Sequence, residues 1–122
     1  MDAEQAINTF WSSFGLEAYD ENSVPDDASL PYITYSVSFD SFDNDFTLTA
    51  SLWDRSSVWA GLTSLVHAIG DDITDGGKLL PTDNGAIWLR KGSPFYQRMG
   101  DEDKSIKRIY INVYAEYIYG TN

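Results

Sequence analysis

The chain has no cysteine and only one histidine, His67. The absence of cysteine excludes a disulfide framework, a thiolate metal site and a cysteine nucleophile. The single histidine excludes any site that needs two imidazoles. No apolar run approaches the roughly 20 residues that span a bilayer, and the acidic N-terminus, MDAEQAINTF, has none of the features of a signal peptide. We therefore expect a protein that is made and used inside a cell, without a membrane partner.

Positive charge is missing from the first 54 residues, which contain no lysine or arginine. Eleven of the 19 acidic residues lie there, whereas all eight basic residues lie from Arg55 onward. Such a surface keeps a protein soluble, and it also suits contact with the basic loops of another copy. Direct binding to nucleic acid is disfavoured, because phosphate contacts need clustered lysine and arginine.

The segment Pro31–Asp54 has the period of two that is typical of strands with one buried and one polar face. It predicts two strands joined by the acidic turn Asp40–Asp45, with an exposed aromatic, Phe42, in the turn. Serine and threonine occupy the polar face. The apolar positions of the two strands are Ile33, Tyr35, Val37, Phe39, Phe46, Leu48, Ala50 and Leu52.

Two amphipathic helices are predicted, over Asp2–Phe14 and over Val58 to about Ile73, the second capped by Ser56 or Ser57. The second helix has no charged side chain from Val58 to Gly70. A solvent-facing helix surface would normally carry several charges. We interpret its small, neutral outer side, which includes His67, as a surface that packs against another part of the chain or a neighbouring subunit; a merely uncharged exposed surface is the alternative.

The C-terminal third predicts strands at Ala86–Arg90, Phe95–Met99 and Ile106–Tyr119, while Leu16–Leu30 and Asp71–Asn84 read as loops. The order is α-β-β-α-β-β-β, or the same with the last segments merged. Residues 1–122 are thus expected to form a single α+β domain with a largely antiparallel sheet and both helices packed on one face.

The sequence carries no recognisable catalytic constellation. There is no nucleophile elbow, P-loop or dinucleotide-binding fingerprint. The acidic loop around Asp20–Asp27 lacks the alternating ligand spacing and the glycine of a calcium loop. The expectation is therefore a protein that is not an enzyme and that has no cofactor, no metal site and no catalytic residue.

Several segments together resemble a known family. They are the strand that begins PYITY, the junction WDRSS before the second helix, the segment WLRKGSPFYQRM and the closing strand IKRIYINVYAEY. Their order and content resemble the tail terminator and related minor tail or tail-completion proteins of bacteriophages with long, non-contractile tails. The resemblance covers most of the chain.

The resemblance implies a structural virion-assembly protein that forms a homo-oligomeric ring, with six copies as the expected number. Such a ring caps the tail tube and presents the surface for joining the head. It also implies partners: other copies of the chain, the tail tube protein and a head-completion or connector protein, with DNA only as cargo passing through the channel. The expected location is the head-proximal end of the virion tail, after assembly in the host cytoplasm.

A ring requires a heterologous interface between two complementary patches of each copy. The acidic N-terminal half and the basic C-terminal segments, which include Lys107, would supply them; an acidic channel that does not retain DNA is a second use of the same charge. The candidate contacts with a subunit or the tail tube are Asp40, Phe42, Asp43, Asp45, Arg55, His67, Arg90, Lys91, Arg98, Arg108, Tyr110 and Tyr114. The rival hypothesis is a monomeric acidic binding module, an inhibitor or DNA mimic that engages a basic partner protein.

Overall fold

The computed structural model describes residues 1–39 and 45–119. The polypeptide forms two helices and six strands in these residues. In chain order they are α1 (Ala3–Ser12), β1 (Glu17–Asp20), β2 (Tyr32–Phe39), β3 (Asp45–Arg55), α2 (Ala60–Ile73), β4 (Lys78–Thr82), β5 (Gly85–Met99) and β6 (Ile106–Tyr119).

The six strands form one mixed sheet in the order β1-β2-β3-β6-β5-β4. The β1–β2 pair is parallel, and every other pair is antiparallel. The predicted hairpin is present, since Ile33 lies opposite Leu52 and Tyr35 opposite Ala50. The long strand β6 occupies the centre of the sheet, where both of its neighbours also run antiparallel to it.

The hydrophobic core lies between one face of the sheet and the two helices. Helix α1 contributes Ile7 and Trp11, and helix α2 contributes Val66 and Ile69, all fully buried. Each such side chain contributes on the order of 1.5–3 kcal/mol by leaving water. The strand residues that meet them include Ile33, Leu48, Leu52, Ile87, Leu89, Ile109, Ile111 and Val113. The predicted α+β class, with both helices on one face, is confirmed.

Two short strands lie within segments that the sequence predicted to be loops. The strand β1 lies inside Leu16–Leu30, and β4 lies inside Asp71–Asn84. Each is an edge strand of only four or five residues, which is too short for an alternating pattern to stand out. The pairing of β1 with β2 spans a long connection, whereas β4 forms a local hairpin with β5 in which Thr82 lies opposite Gly85.

The strand β5 merges the two predicted strands Ala86–Arg90 and Phe95–Met99. The merger is not smooth, because the register with β6 shifts between Lys91 and Tyr96. Gly92 sits at this irregularity, where an added Cβ would lie 2.7 Å from the Asn112 carbonyl oxygen. A bulge that only glycine fits therefore joins the two halves.

The start of α2 differs from the prediction. Neither Ser56 nor Ser57 is the N-cap; that position is Trp59, which makes no side-chain capping bond. The Ser56 hydroxyl instead accepts a hydrogen bond from the Val58 amide at 3.2 Å. As a result Val58, the predicted first residue of this helix, lies before it and is 58% exposed.

Candidate protein-interaction surface

The face of the sheet opposite the helices is covered by no element among the described residues. We call it the open face. Because side chains alternate across a strand, the same pairing that buries Ile109 and Ile111 turns Arg108 and Tyr110 outward. The larger open-face side chains are Tyr19, Tyr32, Trp53, Trp88, Arg90, Arg108, Tyr110 and Tyr114, placed there by the strand register.

A cluster around Arg108 occupies the middle of the open face. Its guanidinium carbon lies 4.6 Å from the centre of the Trp53 ring and 6.0 Å from that of Tyr110. Its Nε donates a hydrogen bond to Ser51 Oγ at 3.0 Å, and the Trp53 indole donates to Thr34 Oγ1 at 2.9 Å. The arginine is therefore held in one orientation by stacking and hydrogen bonding together.

A second arginine–tryptophan pair lies on β5. The guanidinium carbon of Arg90 is 4.5 Å from the centre of the Trp88 ring, and the Trp88 indole donates to the Gly76 carbonyl at 3.2 Å. The Arg90 Nε atom is buried and has no hydrogen-bond partner among the described residues. Tyr114, which is 46% exposed, lies directly opposite Arg90 on β6.

The acidic end of the open face lies where β3 begins and β6 approaches its end. Asp45 and Glu116 are directly opposite each other across the strand pair. Like charges in such positions repel each other, so this corner favours a positively charged neighbour. Three further candidates of the acidic turn, Asp40, Phe42 and Asp43, lie outside the described residues.

Three candidate residues lie on the helix side of the sheet instead. The Lys91 ammonium is 3.7 Å from the Asp75 carboxylate, and the Arg98 guanidinium carbon is 4.9 Å from the centre of the Trp59 ring. His67 lies on the exposed side of α2, where its Nε2 is 3.4 Å from the Tyr96 hydroxyl. The basic residues near the C-terminus are thus divided between two faces and do not form one continuous patch.

Arg55 belongs to a small polar cluster where β3 ends. It donates to Ser105 Oγ at 2.9 Å and lies 3.5 Å from the Asp103 carboxylate. The hydroxyl and the backbone amide of Ser105 donate to Asp103, and these bonds, with the Arg55 charge, lower the pKa of the Asp103 carboxyl. Arg55 is therefore engaged within the chain.

The outer side of α2 is mostly left uncovered by the described part of the chain. Ala60, Ser64, His67 and Ala68 are all exposed, and His67 contacts Tyr96 with 6.1 Å between the ring centres. Of the two partners predicted for this neutral surface, another part of the same chain contacts it at His67 and leaves Ala60, Ser64 and Ala68 exposed.

The described residues contain no group of three acidic or histidine side chains placed to hold a metal ion. No helix among them is long and apolar enough to cross a membrane. What the open face does offer is tryptophan, tyrosine and arginine, the residue types that contribute most of the energy in protein–protein contacts.

Sequence reasoning identified Arg90, Arg108, Tyr110 and Tyr114, but it missed Trp53 and Trp88. Both tryptophans alternate with buried leucines, Trp53 with Leu52 and Trp88 with Leu89. The period of two therefore already placed them on the polar side of their strands. A tryptophan on the polar side of a strand is the signal that could have found them.

No model of a protein family matches the chain, and no curated protein sequence matches it. Solved structures do include chains of similar fold. One belongs to the structure described as "Virion of native gene transfer agent (GTA) particle"; it shares 17% identity and a TM-score of 0.57, over 98% of this chain and 87% of that one. At this level of identity the similarity establishes a shared fold.

Proposed function

We propose that this protein is a structural component of a phage-like virion, a tail terminator that forms a homo-oligomeric ring. The observation that carries the proposal is the similarity of nearly the whole chain to a chain of a gene transfer agent virion. The order of sequence segments that resembles tail terminators supports the same role independently. In this role the ring, with six copies expected, caps the tail tube at its head-proximal end and presents a surface to a head-completion protein.

The open face supports an assembly role on physical grounds. Trp53 and Trp88 are large side chains on an uncovered sheet surface, and each is accompanied by an arginine. Interface cores are enriched in these residue types, whereas ordinary solvent-facing sheet surfaces are polar. We assign the contact with the tail tube or an adjoining virion protein to this face, with Tyr110 and Tyr114 as further contacts.

The charge layout fits a ring through which DNA passes. The chain carries a net charge of −11, so its exposed surface repels the phosphate backbone rather than binding it. In this proposal DNA is cargo in the channel and not a ligand. The role is non-enzymatic and uses no cofactor.

Assembly and capping can be tested directly. We expect the purified chain to self-associate as its concentration rises in sedimentation experiments, and electron microscopy to show it at one end of tail tubes polymerised in its presence. Tubes grown with the protein should have a limited length, and tubes grown without it should extend. A chain that stays monomeric at high concentration and leaves the tubes unchanged would contradict the proposal.

The acidity of the first 54 residues favours one other candidate, a monomeric acidic module that binds a basic partner protein. Affinity capture from infected cells separates the two. Recovery of tail and neck proteins supports the terminator, whereas recovery of a host enzyme together with a strictly monomeric state supports the acidic module.

A further inference from the structure

One half of β5 has a free edge. The strand β4 pairs with its first half, ending where Lys78 lies opposite Leu89. Beyond the bulge, Tyr96–Met99 pairs with β6 on one side, and no described residue pairs with it on the other. Pro94 precedes this segment, and a proline cannot donate to a ladder. The free edge that can accept a strand is therefore four residues long.

The opposite border of the sheet has a free edge of the same length. The strand β1 consists of Glu17–Asp20 and, among the residues that the structure describes, pairs with β2 on one side only. Glu17 and Asp20 are exposed, as is Glu21 immediately after the strand. Unpaired edge strands present rows of backbone donors and acceptors that pair readily with another strand.

The directions of the two edges are compatible with each other. Following the pairing across the sheet, β1, β2 and β6 run one way while β3 and β5 run the other. A neighbouring copy that is rotated about an axis parallel to the strands keeps its strand directions, so its β1 would lie antiparallel to β5. The same rotation keeps the helices of every copy on the same side of the continued sheet. Repeating it gives a closed ring when the rotation angle divides a full turn evenly.

The side chains match in register as well as in direction. When Glu17–Asp20 is aligned antiparallel to Tyr96–Met99, Tyr19 lies opposite Gln97, and both side chains are on the open face. The same alignment sets Asp20 opposite Tyr96 and diagonal to Arg98, and all three lie on the helix side. Arg98 stacks on Trp59 but has no carboxylate partner among the described residues, so an incoming aspartate would find an unpaired positive charge.

We propose that β1 of one copy pairs with Tyr96–Met99 of the next copy, so that the sheet continues from subunit to subunit. The inference rests on the proposed ring, and it names the surfaces that form it. Backbone hydrogen bonds supply the contact, and the Asp20–Arg98 pair makes it specific. Pairing of two β1 edges would bring acidic side chains together, and pairing of two Tyr96–Met99 edges would bring arginines together, and both arrangements are repulsive.

The absence of cysteine from the chain allows a direct test by disulfide formation. Within one copy β1 and β5 are separated by four strand spacings, roughly 19 Å at about 4.8 Å each, whereas disulfides need Cα atoms within about 7 Å. A disulfide in the double variant Tyr19→Cys, Gln97→Cys must therefore join two copies. We expect mild oxidation to yield a ladder of covalent oligomers that ends at the ring. The matched control, Tyr19→Cys with Thr49→Cys, places the second thiol in the middle of the open face and should give no ladder.

Charge reversal provides a second test. If the two residues only stabilised their own subunit, reversing both charges together would not restore self-association. Arg98→Glu and Asp20→Arg should each weaken self-association on the order of tenfold or more. The double variant should restore it, while circular dichroism shows all three variants folded. Rings that form normally without the disulfide ladder, or that ignore both reversals, would overturn the edge pairing and leave the proposed function standing. A chain that forms no ring at all would overturn both.

Discussion

The guanidinium of Arg108 stacks on the indole of Trp53, with its carbon 4.6 Å from the ring centre. The hydrogen bond from its Nε to Ser51 Oγ holds the arginine in that orientation. An arginine that is already ordered loses less side-chain entropy when a partner binds. The cluster is thus prepared for contact, and it lies at the centre of a sheet face that no described helix covers.

The first prediction concerns this pair. Arg108→Ala removes the contacts with the Trp53 and Tyr110 rings and one hydrogen bond at a partly exposed site, so we expect a loss of about 1 kcal/mol in the free energy of unfolding. If the open face is a contact surface, binding to the tail tube should weaken by about 2 kcal/mol, roughly 30-fold. Denaturation and co-sedimentation with tubes measure the two effects. Lys104→Ala, which removes the same charge from an exposed turn, is the control. It should leave both the free energy of unfolding and the binding to tubes nearly unchanged. Equal tube binding by both variants would contradict the assignment of the open face.

The second prediction concerns the close packing of Gly77 against Trp88, and the adjacent Gly76 provides its control. Gly77 has φ of +90°, and an added Cβ would lie 2.6 Å from the Leu89 carbonyl oxygen and against Trp88 Nε1. Gly77→Ala should therefore lower the free energy of unfolding by about 2–4 kcal/mol, from overpacking together with backbone strain. Gly76→Ala is the matched control, because a Cβ at Gly76 meets nothing within 4 Å. Urea denaturation followed by tryptophan fluorescence measures both, and equal stabilities would show that the close contact at Gly77 can relax.

The sequence predicted most of the fold because the long elements have strong periodicity. The alternation of Ile109, Ile111 and Val113 was sufficient to place β6 and its buried face. The short edge strands β1 and β4 could not be predicted in the same way, since four or five residues give too little alternation to identify a strand. The bulge at Gly92 was also inaccessible, because only the approach of Asn112 from the neighbouring strand makes glycine necessary there.

The candidate surface was predicted in part. Alternation on β6 correctly grouped Arg108, Tyr110 and Tyr114 on one side of their strand. Lys91 lies on the helix side by simple alternation with Leu89, whereas Arg98 lies there only because the register shifts between Lys91 and Tyr96. A charge count along the chain cannot reveal this division, because it contains no information about register.

The polar cluster at the end of β3 should respond to pH. Ser105 and Arg55 lower the pKa of the Asp103 carboxyl from its ordinary value of 3.8. A carboxyl whose pKa is lower in the folded state stabilises the fold above the unfolded pKa, and this contribution is lost as pH falls through the folded pKa. We therefore expect Asp103→Asn to be less stable than the natural chain at pH 7, with the difference shrinking below about pH 4. Denaturation curves of both proteins at pH 7 and below about pH 4 test this. A difference in stability that is as large at low pH as at pH 7 would contradict it.

The neutral outer side of α2 leads to a separate prediction. Ala68 is exposed there, so Ala68→Arg should change the free energy of unfolding by no more than about 0.5 kcal/mol. If a neighbouring subunit packs on this side, the bulky charge should prevent assembly while the monomer remains folded. Ser12→Arg places the same charge on an exposed position of α1 and should leave assembly unchanged. Normal rings from Ala68→Arg would show that the neutral side of α2 faces solvent.

Salt dependence distinguishes the two kinds of contact that the structure offers. The Asp20–Arg98 pairing is electrostatic, and the screening length falls from about 10 Å at 0.1 M salt to about 3 Å at 1 M. Assembly guided by this pair should weaken over that range. Contacts through Ala60, Ser64 and Ala68 carry no charge and should be nearly indifferent to salt. We expect the sedimentation profile to shift toward monomer as salt rises, and to shift less in a variant that carries both Asp20→Asn and Arg98→Gln. A profile of the natural chain that is unchanged by salt would show that the Asp20–Arg98 pair does not guide assembly, and the ring contact would then be an uncharged one, through backbone pairing or the helix side.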